Sequence, residues 1–304
     1  QLQRYMRRRE DTEAAGLREG EPRLFHSNLL VVRTSGLLAD YGTITSGEEH
    51  FHAWKTLYPR DDAALPGMGA QQQLVAGLLD RGNLLQILRT SAVFMDTEGG
   101  ARVKVVCRYQ QFRAACRIVQ RLRAGATPME RSGVVWHTQG SGKSLTMVFL
   151  ARLLRSSTDL NDYKIVLVND RQDLEDQLSE TAALIGGRVN VIENTQGLRQ
   201  QLGTDSSDLN MVMVHKFQQR DVNLPLKVAE ALGTYQAMPG KQTFGVVNDS
   251  DRIVLMIDEA HRTQEGDRDR RAHVALVLGA VGHAGDERVA HRLEHVIGGE
   301  EEED

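Results

Sequence analysis

From Gly133 onward, apolar runs of strand length alternate with segments of helical spacing, and this rhythm constrains the fold more than any other feature. Val134–Trp136, Ile165–Val168, Met211–Val214 and Ile253–Ile257 are apolar at every position. A strand without a polar side must be covered on both faces, the condition of a parallel strand between helical layers. Helical patterns fill the gaps. Met147, Leu150, Ala151 and Leu154 share one face, and Asp170 stands where it caps a segment that carries Leu174 and Leu178 and stops at Gly186-Gly187. Strand alternating with helix predicts an α/β fold around a parallel sheet.

The preceding part of the chain has a different texture. Leu29–Thr34 and Leu37–Ile44 read as short strands, with turn residues at Thr34-Ser35-Gly36 and Thr45-Ser46-Gly47. Pro59 to Gly69 is rich in Pro, Gly and Asp and marks a boundary. Residues 70–95 and 109–123 read as helices. On the second, Arg113, Arg117 and Arg121 fall at i, i+4 and i+8 and read as a solvated basic face.

Composition narrows the class. The chain of 304 residues accommodates one large or two ordinary domains, and its 40% apolar share can fill a core. A net charge of -4 excludes a generally basic protein but leaves room for a local basic groove. Cys107 and Cys116 are the only cysteines, too few for a disulfide framework and wrongly spaced for a zinc knuckle, so a reduced, cytoplasmic protein is expected. No apolar run approaches the roughly 18 residues that span a bilayer. The N-terminal QLQRYMRRRE has neither a signal-peptide core nor an initiator Met, which suggests a piece of a longer protein.

Between the first apolar run and its helix stands Gly140-Ser141-Gly142-Lys143-Ser144. Gly140 and Gly142 permit positive φ and bring backbone amides close to phosphate oxygens. The helix start adds its dipole and N–H groups. Lys143 is placed to meet the β- and γ-phosphates, and the Ser144 hydroxyl to ligate Mg²⁺. The first glycine of the usual GxxxxGK[ST] pattern is missing, since His137 stands there. Even so, GxGK[ST] arises by chance in only roughly one chain in a hundred of this length. A phosphate loop of this kind needs a carboxylate at a neighbouring strand end to hold the metal through water. Ile253–Ile257 runs into Asp258-Glu259-Ala260-His261. Asp258 is expected to hold Mg²⁺, Glu259 to orient or deprotonate the attacking water, and His261 to couple nucleotide state to the motor.

With these segments in this order, the chain resembles a superfamily 2 helicase motor, and more narrowly the R subunit of type I restriction enzymes. WHTQGSGKSLTMVFLARLL, IVLVNDRQDLEDQL and DEAHRTQ each resemble motor motifs of that family. In KVVCRYQQF, Gln111 stands where the family has a glutamine that reads adenine. RLFHSNLLVVRTSGLLADYGTITSGEEHFHAWKT resembles the segment between the family's nuclease and motor domains. The resemblance runs from residue 1 to about 266. It implies an ATP-driven translocase on double-stranded DNA, working with methylation and specificity subunits. It also implies that Asp170 and Arg171 lie near bound DNA, a role compatible with a helix cap at Asp170. His215 and Lys216 are implied to lie beside the DNA path, with Phe217 read as core packing.

The family's nuclease is of the PD-(D/E)xK type, with its carboxylates and lysine ahead of a Q-x-x-x-Y element. Gln1 and Tyr5 fit that element, so the catalytic residues are expected upstream; Asp96-Thr97-Glu98 with Lys104 reads as an ordinary charged loop. After Gly266 the sequence DRDRRAHVALVLGAVGHAGDERVAHRLEHVIGGEEEED shows neither the family's next strand with its Thr-Gly-Thr-Pro motif nor a second motor domain with an arginine finger. Arg268-Asp269-Arg270-Arg271 reads as a solvated loop.

The expected organisation is the rear of a nuclease domain over 1–58, a helical linking region with the glutamine motif over 59–125, a RecA-like ATPase domain over 126–266, and an atypical charged tail over 267–304. The expected function is the ATP-binding motor portion of an R subunit, with weak or no turnover. The alternatives are a DEAH-type helicase without a restriction role and a non-catalytic remnant.

Overall fold

The computed structural model describes residues 5–6, 20–35, 37–97, 99–138, 141–169, 184–185, 189–192, 195–204, 206–213, 248, 250–257 and 273–280. The chain divides into two units, Gln1–Arg113 and Ala114–Asp304.

In the first unit, β1 (Val31–Thr34) and β2 (Ala39–Gly42) pair antiparallel, with Val31 opposite Gly42 and Thr34 opposite Ala39. β3 (His52–Ala53) pairs with the other side of β2. Alternation along β2 turns Ala39 and Tyr41 inward, where both are buried. Both longer strands lie inside the runs expected from sequence.

Residues 70–95, expected as one helix, instead form α1 (Ala70–Gly77), α2 (Arg81–Thr90) and β4 (Ala92–Asp96). β4 pairs with β5 (Arg102–Val106) as an antiparallel hairpin. The helix breaks because Asp80 accepts hydrogen bonds from the N–H groups of Gly82 and Asn83 and so caps a new start. Ahead of the break, Gly77 packs so closely on Trp54 that a Cβ would lie 2.4 Å from Trp54 Nε1. Leu74 on α1 and Ile87 on α2 are both buried, so apolar spacing runs through the break without marking it. Asp96 and Lys104 sit on the hairpin rather than in a loop. Asp96 pairs with Arg102, and Lys104 Nζ donates to the carbonyls of His26 and Asn28, so both serve the local fold.

α3 (Tyr109–Ala124) starts in the first unit, and the division between units falls within it. On its arginine face Arg117 and Arg121 are exposed, whereas Arg113 pairs with Asp62 at 2.7 Å.

The second unit is built on a six-stranded sheet. Its strands are β6 (Gly133–Thr138), β7 (Lys164–Asn169), β8 (Val189–Ile192), β9 (Leu209–Met213), β10 (Ile253–Ile257) and β11 (His273–Ala280), in the spatial order β6-β11-β10-β7-β9-β8. α4 (Pro128–Arg131) precedes β6, α5 (Lys143–Ser156) follows it, and α6 (Thr195–Leu202) precedes β9. β10, β7, β9 and β8 pair in parallel, as the apolar runs predict. Ile165, Val168, Val254 and Met256 have no exposed surface, which is what coverage on both faces requires.

Two features correct the sequence expectation. The sheet is mixed rather than wholly parallel, because β11 lies antiparallel between β6 and β10. The segment after Gly266, expected as a charged tail without a strand, supplies that β11. HVALVLGA contains no Asp, Glu, Lys or Arg, although the residues on either side are rich in them. The charged flanks mask an eight-residue run that completes the hydrogen bonding of both neighbours.

Candidate functional site

β6 delivers the chain toward Ser141 and Gly142. Gly142 has φ 78° and ψ 49°, the left-handed conformation, and forms the N-cap of α5. A side chain there would crowd the following carbonyl at a cost of about 1–2 kcal/mol, so this turn requires glycine. The Gly142 carbonyl accepts from the Thr146 N–H at 3.1 Å and from the Thr146 hydroxyl at 3.3 Å, closing the first turn of α5. Lys143 and Ser144 are therefore the first two helical residues, and both are partly exposed.

From Thr146 to Ala151 every residue is buried, so the body of α5 anchors its start. The face expected from sequence (Met147, Leu150, Ala151, Leu154) is buried throughout. A helix start presents aligned N–H groups and the positive end of the dipole, which favour an anion. Lys143 adds a point charge, and Ser144 a hard oxygen donor of the type Mg²⁺ prefers.

The neighbouring strands deliver other segments to the same edge. β6 runs in the direction of β10, since β11 is antiparallel to both. Val168 of β7 stands opposite Ile257 of β10 and Val212 of β9, and Asn169 stands opposite Met213. All four strands leave the sheet on one side, the side on which open α/β sheets place their ligands. In sequence, Asp258, Glu259 and His261 follow β10, Asp170 and Arg171 follow β7, and His215 and Lys216 follow β9. These residues, like Gly140, lie outside the described residues.

Gln111, in the first turn of α3, is 3% exposed, and its Oε1 accepts the Arg108 N–H at 2.8 Å. It thus caps the helix from within. Cys107 and Cys116 are buried and form no disulfide. Among the described residues no helix is long and apolar enough to cross a membrane, and no cluster of His, Cys, Asp and Glu has metal-binding geometry.

Sequence reasoning missed two polar groups here. Thr146 is 1% exposed on an otherwise apolar stretch of α5, and a lone Thr within an apolar helix pattern was its signal. Asp62 accepts from the Leu57 N–H at 2.6 Å and pairs with Arg113, contacts that no local pattern announces.

A strand that turns through a left-handed glycine into a Lys-Ser helix start, on a sheet whose parallel strands end on that side, defines a P-loop ATPase domain of the helicase type. The chain belongs to the SWI2/SNF2 ATPase family, whose model matches residues 110–282. It is similar to the type I restriction enzyme HindI endonuclease subunit of Haemophilus influenzae, 28% identical over 251 residues, covering 80% of this chain and 22% of that subunit. It is 23% identical over 265 residues to the putative type I restriction enzyme MjaIXP endonuclease subunit of Methanocaldococcus jannaschii, covering 81% of this chain and 23% of that protein. A shorter match of 153 residues, 33% identical, is to the type I restriction enzyme SsaAORF53P endonuclease subunit of Staphylococcus saprophyticus, covering 50% of this chain and 14% of that subunit. The chain therefore spans less than a quarter of the length of these relatives.

Proposed function

We propose that the chain is the ATP-binding motor portion of a type I restriction endonuclease R subunit. The observation that carries this reading is the helix start at Gly142, Lys143 and Ser144, at the sheet edge where β7, β9 and β10 also end. The restriction role is supported by relatives that are named endonuclease subunits of type I restriction enzymes. In this reading residues 1–58 are the rear of a nuclease domain, 59–125 a linking region, and 126–266 a RecA-like motor domain to whose sheet β11 (His273–Ala280) adds a strand.

The residues divide the work as follows. Amides of Gly140, Ser141 and Gly142 cradle the phosphates, and Lys143 neutralises the terminal ones. Gln111 reads the adenine. Ser144 directly, and Asp258 through water, hold Mg²⁺, which supplies neutralising charge on the phosphate oxygens. Glu259 orients or deprotonates the attacking water, and His261 passes nucleotide state to the rest of the motor. Asp170, Arg171, His215 and Lys216 face double-stranded DNA, and methylation and specificity subunits complete the assembly.

The test is steady-state ATPase of this chain with and without double-stranded DNA, alongside triplex displacement to report translocation. In phosphoryl transfer, an arginine supplied by a second domain contributes about a thousandfold to a hundred-thousandfold in rate. Slow turnover and no stepping are expected when these 304 residues are assayed by themselves. DNA-stimulated turnover above about one per second, within the ordinary enzyme range, would overturn this assignment of roles.

A further inference from the structure

Thr146 is the one polar side chain in the buried stretch Thr146–Ala151 of α5. Helix stability does not explain it. Valine has nearly the same shape and would bury a methyl group where threonine buries a hydroxyl. A hydroxyl taken out of water costs free energy that only a good hydrogen bond offsets. Among the described residues the Thr146 hydroxyl has a single partner, the Gly142 carbonyl at 3.3 Å. That is longer than the about 3.0 Å within which O–H donors usually bond. The hydroxyl therefore offsets little of its own burial, and its effect has to be sought at Gly142.

Gly142 is where the chain turns from β6 into α5, with φ 78° and ψ 49°. Glycine adopts a negative φ about as readily as a positive one, so its surroundings have to select the left-handed state. The hold is on its carbonyl. The Thr146 N–H donates to that oxygen at 3.1 Å, and the hydroxyl of the same residue adds a second, weaker bond. A carbonyl oxygen has two lone pairs and can accept both. The peptide between Gly142 and Lys143 is planar and trans, so its C=O and N–H point in opposite directions. Holding the carbonyl into the first turn of α5 therefore aims the Lys143 N–H out of the helix start, the direction from which a helix receives an anion. Thr146 is itself anchored, since Met147, Val148, Phe149 and Leu150 beyond it are buried. One side chain thus couples the body of α5 to the turn ahead of it.

We infer that Thr146 is a positioning residue for phosphate binding: its hydroxyl holds the Gly142 carbonyl and keeps the turn ahead of Lys143 in the left-handed form that receives phosphate. The inference rests on the reading of this helix start as the phosphate site. A binding-competent state that is only partly populated weakens the observed affinity by that fraction. Loss of the hydroxyl should therefore raise the dissociation constant of any ligand that the turn holds by its phosphates.

The experiment titrates the whole chain calorimetrically with ATP and with tripolyphosphate, each with Mg²⁺, and follows thermal melting of every variant. Thr146→Val exchanges the hydroxyl for a methyl, Thr146→Ser keeps the hydroxyl and drops the methyl, and Thr146→Ala drops both. Thr146→Val should weaken both ligands by about threefold, the factor for a hydrogen bond at the weak end of the neutral range, while melting no lower than the wild type. Thr146→Ser should melt lower and bind as the wild type does. Affinity and stability then come apart, which a merely structural role would not produce. If Thr146→Val does not fold, Thr146→Ala beside Thr146→Ser isolates the hydroxyl and should show the same loss. Lys143→Ala separates the inference from the reading beneath it. If that variant loses binding while Thr146→Val binds as the wild type does, the positioning role is overturned and the phosphate site stands. If Lys143→Ala binds as the wild type does, the phosphate site fails and the inference falls with it. A loss of affinity in Thr146→Val matched by a lower melting temperature, or a loss for ATP without one for tripolyphosphate, would also overturn it.

Discussion

The two units solve the folding problem by different means. The second is held by apolar strands covered on both faces, with Ile165 and Val254 fully buried and α5 buried from Thr146 to Ala151. The first has short strands and short helices, and its connections are set by buried and half-buried polar groups. Asp62, Asn83 and Thr56 hold backbone groups of the Trp54–Asp62 segment, and the Tyr41 hydroxyl donates to the Cys107 carbonyl at 2.7 Å. Apolar burial is tolerant of exact geometry, whereas a buried hydrogen bond is made or lost. The second unit should therefore fail through lost volume, and the first through small steric displacements.

The largest effect is expected from emptying the second core. Phe149 has no exposed surface, and Phe149→Ala should destabilise by about 3–5 kcal/mol. Urea unfolding followed by fluorescence reads this, since Trp54 and Trp136 are the only tryptophans, one in each unit. A loss below about 1 kcal/mol, far under the range for such truncations, would mean that the helix is loosely packed.

A smaller change should still break the first unit. At Gly77 a single added methyl would lie 2.2 Å from the Thr56 carbonyl and 2.4 Å from Trp54 Nε1. Gly77→Ala should cost about 1–3 kcal/mol by overpacking, despite the better helix propensity of alanine. Its signature is a shifted Trp54 emission, because the indole donates to the Thr56 carbonyl at 2.8 Å. An unchanged spectrum with wild-type stability would remove the contrast between the units.

The smallest effect belongs to the surface. Arg123 pairs with Asp159 through two hydrogen bonds of 2.7 and 2.8 Å, but both side chains are about half exposed. Solvent screening leaves such pairs little net contribution, although the guanidinium holds the Asp159 carboxyl below its ordinary pKa. Arg123→Ala should leave the urea midpoint unshifted within error. A clear drop would show that surface pairing also holds the second unit.

The same contrast decides what the sequence could announce. β7, β9 and β10 are legible because they carry the unbroken apolar runs Ile165–Val168, Met211–Met213 and Ile253–Ile257 that double coverage favours, although β9 also buries Asn210. β8 is less so, since Asn190 interrupts it and Val191 is 43% exposed. β11 was hidden by its charged flanks. In the first unit, α1 and α2 share a helical pattern, and the cap that divides them rests on one residue, Asp80, which leaves the apolar spacing unbroken. The proposed phosphate contacts of Lys143 and Ser144 are legible because phosphate binding imposes residue types at fixed spacing. Asp62 and Arg113 are 51 positions apart (113 − 62), and Asn83 reaches a carbonyl 25 positions away, so no local pattern predicts either contact.

The central claim is that the helix start at Lys143 binds the phosphates of ATP. Calorimetric titration of the whole chain with ATP and Mg²⁺, wild type beside Lys143→Ala, tests it most directly. Lys143 is partly exposed at the first position of α5, so replacing it should leave the fold unchanged by circular dichroism. The wild type should give a saturable binding heat and Lys143→Ala none at the same concentrations, because the ammonium is the point charge that meets the terminal phosphates. Equal affinity in the two proteins would contradict the assignment of this loop.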